Sequence, residues 1–151
     1  MQIDTRPAEL KDLKDVWLWR NDPLTIKQSK DESKISLQEH TNWFKECITN
    51  NINHIFISED PKKNKLGMTR FDLHDDQNKA LVSINLNPLY RGMGIGPIIL
   101  QSAIDIFTLN HKINLDAVIK KTNVPSINCF KKCGFLHNAD SDELCYFTKY
   151  I

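Results

Sequence analysis

The residues best placed to do chemistry stand together at Tyr90-Arg91-Gly92-Met93-Gly94-Ile95-Gly96, one arginine followed by glycine at every second position. Glycine loses the most conformational freedom on folding, so such a cluster needs a local reason. A β-rich run, Leu81–Leu86, leads into it, and Ile99, Leu100, Ala103, Ile104 and Phe107 follow at helical spacing. The loop therefore joins a strand to a helix whose first N–H groups have no partner within the helix. The helix dipole adds partial positive charge there, and bare glycine backbone lets a ligand come close. Arg91 supplies a permanent cation with a fork of donors. The spacing predicts a site for phosphate or pyrophosphate built from Arg91, Gly92, Met93, Gly94, Ile95 and Gly96. A tight turn beside a surface arginine would need only one glycine.

Two familiar phosphate sites do not fit. A P-loop needs Lys and then Ser or Thr after its last glycine, whereas Gly96 is followed by Pro97 and Ile98. A dinucleotide fingerprint would put its third glycine at position 97, and too little chain remains for the rest of that fold.

Other elements must hold this loop in place. Leu10, Leu13 and Trp17 recur at helical spacing, and Asn21-Asp22-Pro23 ends that helix. Ser36 and Glu39 form a capping-box pattern ahead of a second helix with Leu37, His40, Phe44 and Cys47 along one face. Three β-rich runs, 54–60, 65–73 and 79–88, read as an antiparallel meander, with His74–Lys79 as its last loop. Beyond the central helix, Ile113, Leu115, Ala117 and Ile119 alternate as a strand. Ser126–Cys133 reads as a helix ended by Gly134, and Glu143–Ile151 as a last strand. The order predicted is two helices, three strands, helix, strand, helix, strand: a single-domain α/β (α+β) fold with a mixed, mostly antiparallel sheet.

Composition sets the wider bounds. The chain has 151 residues, 40% of them hydrophobic, and a net charge of +1, which suits one compact domain and speaks against a nucleic-acid surface. The first residues carry no apolar signal core, and no stretch is long enough to cross a bilayer, so a cytoplasmic protein without a membrane partner is expected. Cys47, Cys129, Cys133 and Cys145 form no zinc-like spacing with histidine and read as reduced thiols; no metal is expected.

With its elements in place, Arg91-Gly92-Met93-Gly94-Ile95-Gly96 resembles the Arg/Gln-x-x-Gly-x-Gly/Ala signature of the GCN5-related N-acetyltransferase (GNAT) superfamily. Asn123–Phe135 is similar to the later motif of that superfamily: Asn, Ser or Ala, an aromatic, then Gly-Phe. The resemblance spans essentially the whole chain. Residues 18–29 and 35–48 resemble a subgroup related to the ribosomal-protein acetyltransferases, which includes bacterial enzymes acting on nucleotide-linked amino sugars during surface-glycan synthesis.

That resemblance implies the GNAT fold over residues 1–151, acetyl-CoA as co-substrate, and a primary amine as acceptor, with a UDP-linked amino sugar foremost. A protein N-terminus, or a coenzyme-binding module without catalysis, is the alternative, and self-association into a homodimer is left open. It implies that Arg91–Gly96 holds the pyrophosphate and that the pantetheine arm runs along Ile84, Asn85 and Leu86. The Leu86 backbone N–H would polarise the thioester, and Asn123, Ser126 and Phe130 would lie against the coenzyme. Arg20, Asn21, His40 and Trp43 would face the acceptor, although Trp43 and Phe44 would equally pack a core.

No general base stands out among His40, His54, Asp72, His74 and Glu143. A low-pKa amine eases that need: an α-amine near ~7.8 is partly neutral at pH 7, while a lysine near ~10.4 is not. Many members of the superfamily that the chain resembles carry a tyrosine acid where this sequence has Phe130, which implies that the thiolate leaves unaided, is protonated by water, Cys129, Ser126 or Tyr90, or that catalysis is lost.

Overall fold

Alternating and periodic apolar residues build two layers on one sheet. The structure, a computed structural model, describes residues 1–151. Its strands are β1 (Asp4–Pro7), β2 (Asn53–Glu59), β3 (Lys65–Leu73), β4 (Lys79–Leu86), β5 (Asn114–Lys120), β6 (Leu136–Asp140) and β7 (Leu144–Lys149). Its helices are α1 (Leu13–Arg20), α2 (Pro23–Gln28), α3 (Leu37–Cys47), α4 (Gly96–Phe107) and α5 (Val124–Lys132). The strands form one mixed sheet ordered β1-β2-β3-β4-β5-β7-β6, in which only the β4–β5 pair is parallel.

Strand β2 shows why the sheet is covered on both sides. Phe56 points into a cluster with Phe71, Leu100, Phe107, Leu115 and Phe147, against α4 and α5. Its neighbours Ile55 and Ile57 point the other way, into a cluster with Val16, Trp19, Phe44 and Met68 against α1 and α3. The period of two along a strand divides these side chains between two cores. No helix is long and apolar enough to cross a membrane.

The β2–β3–β4 meander, the buried stripe of α4, the alternation of β5, and helix α5 ending at Gly134 all stand as expected. Three elements are additional: β1, α2 and β6. Strand β1 is polar, and it is held by pairing with β2 and by Arg6, which reaches both Asp12 and Glu59. Strand β6 is exposed at every residue and owes its form to its ladder with β7. Helix α2 begins where α1 ends, because Pro23 suits a first helical position and Asp22 caps it through the Leu24 and Thr25 N–H groups.

The buried side of the first helix differs from expectation. Val16 and Trp19 are its core residues, Leu10 is exposed in a preceding 3₁₀ turn, and the half-buried Trp17 donates its indole N–H to the Ile35 carbonyl. Ser36 does cap α3 by accepting the Glu39 N–H, and His40, Phe44 and Cys47 are buried, but Leu37 faces solvent. All four cysteines are free.

Candidate functional site

A gap in the sheet creates the site. Strands β4 and β5 pair only at Lys79–Leu81 against Asn114–Asp116; beyond that they diverge and open a cleft of about 1100 Å³. On the other edge of β4 the Asn87 N–H donates to the Leu66 carbonyl across β3 at 2.9 Å. Backbone groups alternate sides along an antiparallel strand, so the Leu86 and Ile84 N–H groups point into the gap while those of Asn85 face β3. Leu86 therefore presents a fixed donor where the sequence expects one. Asn85 departs from expectation: its backbone is used by the sheet, and only its side chain reaches the cleft.

At the end of β4 the chain passes through a 3₁₀ turn (Pro88–Tyr90) into the glycine loop. Gly92 and Gly94 have φ of +72° and +73°, a region that favours glycine, and a Cβ on either would meet no protein atom within 4 Å. That empty space lies directly before α4, whose N-terminus no side chain caps, whereas Asp22, Ser36 and Asn123 cap α2, α3 and α5. The loop and the uncapped helix end form a cradle of free N–H groups that fits a phosphate or pyrophosphate.

Arg91 is placed less simply. Its Nη1 donates to Asp22 Oδ2 at 2.6 Å, and its Nη2 donates to Thr25 Oγ1 at 2.6 Å. The arginine of the signature thus ties the loop to helix α2, and its charge is balanced by Asp22, whose carboxyl is held below its usual range first by that hydrogen bond. Asp22 was expected as part of the stop after the first helix and both residues lie in the 18–29 resemblance, but neither was expected to hold Arg91.

Of the residues expected at the site, Arg20, His40, Trp43, Ile84, Asn85, Leu86, Arg91, Gly92, Gly94, Ile95, Gly96, Asn123, Ser126 and Phe130 line the cleft. Met93 is exposed and stands off the wall. Asn21 also stands off it, its carboxamide spent on both backbone groups of Ile35 at 2.8 and 2.9 Å. Asn123 Oδ1 accepts the Ser126 N–H as the cap of α5.

On the other wall, buried His40 faces the Leu13 carbonyl through Nε2 at 2.8 Å, and burial pushes its pKa down. Its ring therefore stays neutral, with Nε2 as donor. Phe44 is wholly core, while half-buried Trp43 lies on the cleft with the Arg70 guanidinium 5.2 Å from its ring centre. Of the five candidate bases only His40 reaches the wall; the carboxylates that do are Asp31, which no motif marked, and Glu39, marked only as a capping-box residue. Asp72 is engaged by Arg70 and Asn53 at 2.9 and 2.6 Å.

The balance of charge around the cleft is one-sided. Arg20, Lys30, Lys34, Arg70, Arg91, Lys120 and Lys132 line it against Asp31 and Glu39. Arg91, Arg70 and Lys120 are paired with Asp22, Asp72 and Glu32 outside the lining, so the excess rests on Arg20, Lys30, Lys34 and Lys132. Arg20 donates through Nη2 to the Asp31 carbonyl at 3.1 Å, while its buried Nη1 has no partner.

Comparison with known proteins agrees with this architecture. A family model described as "Acetyltransferase (GNAT) domain" matches residues 3–136. A crystal structure of spermidine N-acetyltransferase from Vibrio cholerae in complex with CoA and spermine superposes with a TM-score of 0.84 at 19% identity, covering 97% of this chain and 94% of that one. A chimera of the Vibrio cholerae enzyme and hSSAT gives 0.85 at 16% identity, covering 99% and 96%. A putative phosphinothricin N-acetyltransferase gives 0.82 at 24% identity, covering 99% and 98%. A search of curated protein sequences finds no significant match. With its splayed strands, glycine cradle and family match over most of its length, the chain belongs to the GNAT acetyltransferase domain family and is an acyltransferase.

Proposed function

We propose that residues 1–151 act as one N-acetyltransferase domain that moves the acetyl group of acetyl-CoA to a primary amine on a small, negatively charged acceptor. A UDP-linked amino sugar of surface-glycan synthesis is the acceptor this reading favours, and the subgroup is the ribosomal-protein-acetyltransferase-like one. The carrying observation is the basic cleft, with the unpartnered Nη1 of Arg20 in its wall. Spermidine and spermine, named for the structural neighbours, are polycations that such a wall repels, whereas a diphosphate is attracted to it. Four free cysteines support a cytoplasmic setting.

The geometry supports the following roles. The glycine cradle and the α4 N-terminus hold the pyrophosphate of acetyl-CoA, and the pantetheine arm pairs with the Ile84 and Leu86 backbone facing the gap. Leu86 N–H stabilises the oxygen on which charge develops, at no cost in reorganisation. The neutral amine attacks the thioester carbon, the C–S bond breaks, and the amine proton passes to solvent. Incubation with acetyl-CoA and separate panels of UDP-amino sugars, N-terminal peptides and polyamines, with free thiol as the readout, tests the reading. Thiol release with a UDP-amino sugar and none with spermidine is expected, and Arg20→Gln should raise the acceptor KM by about ten- to a hundredfold. Turnover of spermidine without any UDP-amino sugar would overturn it.

The leaving thiolate needs no acid from Cys129. Burial pushes that thiol up to about 12. Moving a proton from it to a coenzyme thiol of pKa near ~8.5 is uphill by roughly 5 kcal/mol. Cys129→Ala should change kcat less than about twofold. Phe130→Tyr, which restores a hydroxyl on the cleft wall, should keep or raise it. Loss of turnover in Cys129→Ala or Ser126→Ala with acetyl-CoA binding intact would make that residue the proton donor.

A further inference from the structure

We propose that the Asn85 side chain is a specificity-determining residue, its carboxamide N–H₂ donating to an oxygen that the acceptor carries beside its reacting amine. The inference rests on the acceptor reading above and names a chemical feature that the acceptor must have. It starts from a chain of hydrogen bonds whose direction is set by chemistry. Arg91 has only donors, so Thr25 Oγ1 must accept from its Nη2 at 2.6 Å. The hydroxyl then has one hydrogen left, and it goes to Asn85 Oδ1 at 3.2 Å. A flipped amide would bring a second N–H to the same oxygen and leave the hydroxyl hydrogen without an acceptor. Oδ1 is therefore the atom turned to Thr25, and Nδ2 is left with no partner inside the chain.

Position gives that donor its role. Asn85 lies on the cleft wall, one residue before Leu86, whose N–H faces the gap between β4 and β5. Its side chain leaves the sheet on the side of α2, because it reaches Thr25 there. Met68, its cross-strand partner in β3, packs on that same face with Val16 and Trp19 of α1 and Phe44 of α3. Arg20 and His40, on the wall made by α1 and α3, share the face. A carboxamide N–H₂ rewards a hydroxyl or carbonyl oxygen and gains nothing from a methylene. A sugar amine has such oxygens on the adjoining carbons, and an N-terminal residue has its own carbonyl; the interior of a polyamine has none. Asp22 supports the device from outside by fixing Arg91, which orients Thr25.

Steady-state kinetics on the full chain, using whichever amine the panels show to be acetylated, test this assignment. Asn85→Ala should lower acceptor kcat/KM roughly three- to tenfold, the worth of one neutral hydrogen bond, with the acetyl-CoA Kd by calorimetry within about twofold of wild type. Asn85→Asp should do worse, because it faces the acceptor oxygen with a carboxylate. Thr25→Val, which frees the amide to turn, should share the loss in acceptor KM, and Thr25→Ser should restore it. An unchanged kcat/KM in Asn85→Ala overturns the assignment, as does an equal loss of acetyl-CoA and acceptor affinity. Turnover confined to an N-terminal peptide overturns only the amino-sugar reading, and the same variants then decide Asn85. Turnover confined to spermidine overturns both.

Discussion

Replacing Gly94 by valine is expected to weaken acetyl-CoA binding by about a hundredfold or more while the protein still folds. At φ +73° a β-branched residue costs on the order of 1–2 kcal/mol, which lowers the melting temperature by several degrees at this chain length. No protein atom lies within 4 Å of the position its Cβ would take, so nothing in the chain is pushed aside. In the proposed donor site that vacant volume is where the pyrophosphate approaches the backbone N–H groups, and the two branches of valine would fill it. The penalty therefore falls on binding. Gly94→Ala, with one methyl and the same strain, should fall between. Arg91→Ala should cost about tenfold, less than valine at Gly94, because its fork is already shared with Asp22 and Thr25. Calorimetry giving an unchanged acetyl-CoA Kd for Gly94→Val would remove the loop from the donor site.

The largest loss of stability should come from Asp12→Ala, about 3–5 kcal/mol, measured by urea unfolding at neutral pH. The Asp12 side chain has no exposed surface, and it accepts from Arg6 at 2.8 and 3.0 Å, from the Glu9 N–H at 2.8 Å and from Lys65 at 2.9 Å. Alanine would take one of two counter-charges from each of two partly buried cations, leaving Arg6 only Glu59 and Lys65 only Asp15, and would loosen β1 from the turn before α1. Burial by itself raises the Asp12 pKa, but the hydrogen bonds from Arg6, Lys65 and the Glu9 amide outweigh it and bring the carboxyl from 3.8 down to about 2. A carboxyl with a lower pKa folded than unfolded stabilises the fold above the unfolded value. That contribution, about 2–3 kcal/mol, is lost as pH falls from ~4 towards 2. Asp12→Asn should be less stable at pH 7 and should lack this component of acid sensitivity. Parallel pH profiles for the two proteins would place the acid response elsewhere.

The parts of the proposed donor site were legible because they are contiguous. Strand, glycine loop and helix follow one another from Leu81 to Phe107, and the periods of two and 3.6 that define them are local properties of the chain. The same holds for the β2–β4 meander, the Ser36 cap of α3 and the Gly134 end of α5. Strands β1 and β6 were not legible, since their residues are polar and each takes its form from a partner strand. The side of α1 that is buried was misjudged for a related reason: over a short, tryptophan-rich helix two stripes compete, and the packing of α3 and the sheet selects Val16 and Trp19.

The proposed acceptor half depends on contacts between distant residues. Arg91 meets Asp22 across 69 positions and Thr25 across 66, and Thr25 meets Asn85 across 60, so no local pattern records them. Net charge conceals the basic cleft in the same way: the whole chain sums to +1, and only folding gathers Arg20, Lys30, Lys34 and Lys132 around one cleft while most carboxylates go elsewhere. By itself the sequence determined most of the elements, the strand–glycine loop–helix unit and the family, because each is written in neighbouring residues. Tertiary structure alone decided what the signature arginine holds and which side chains share the cleft wall, because hydrogen bonds and ion pairs form between whatever side chains the sheet and helices bring within about 3 Å.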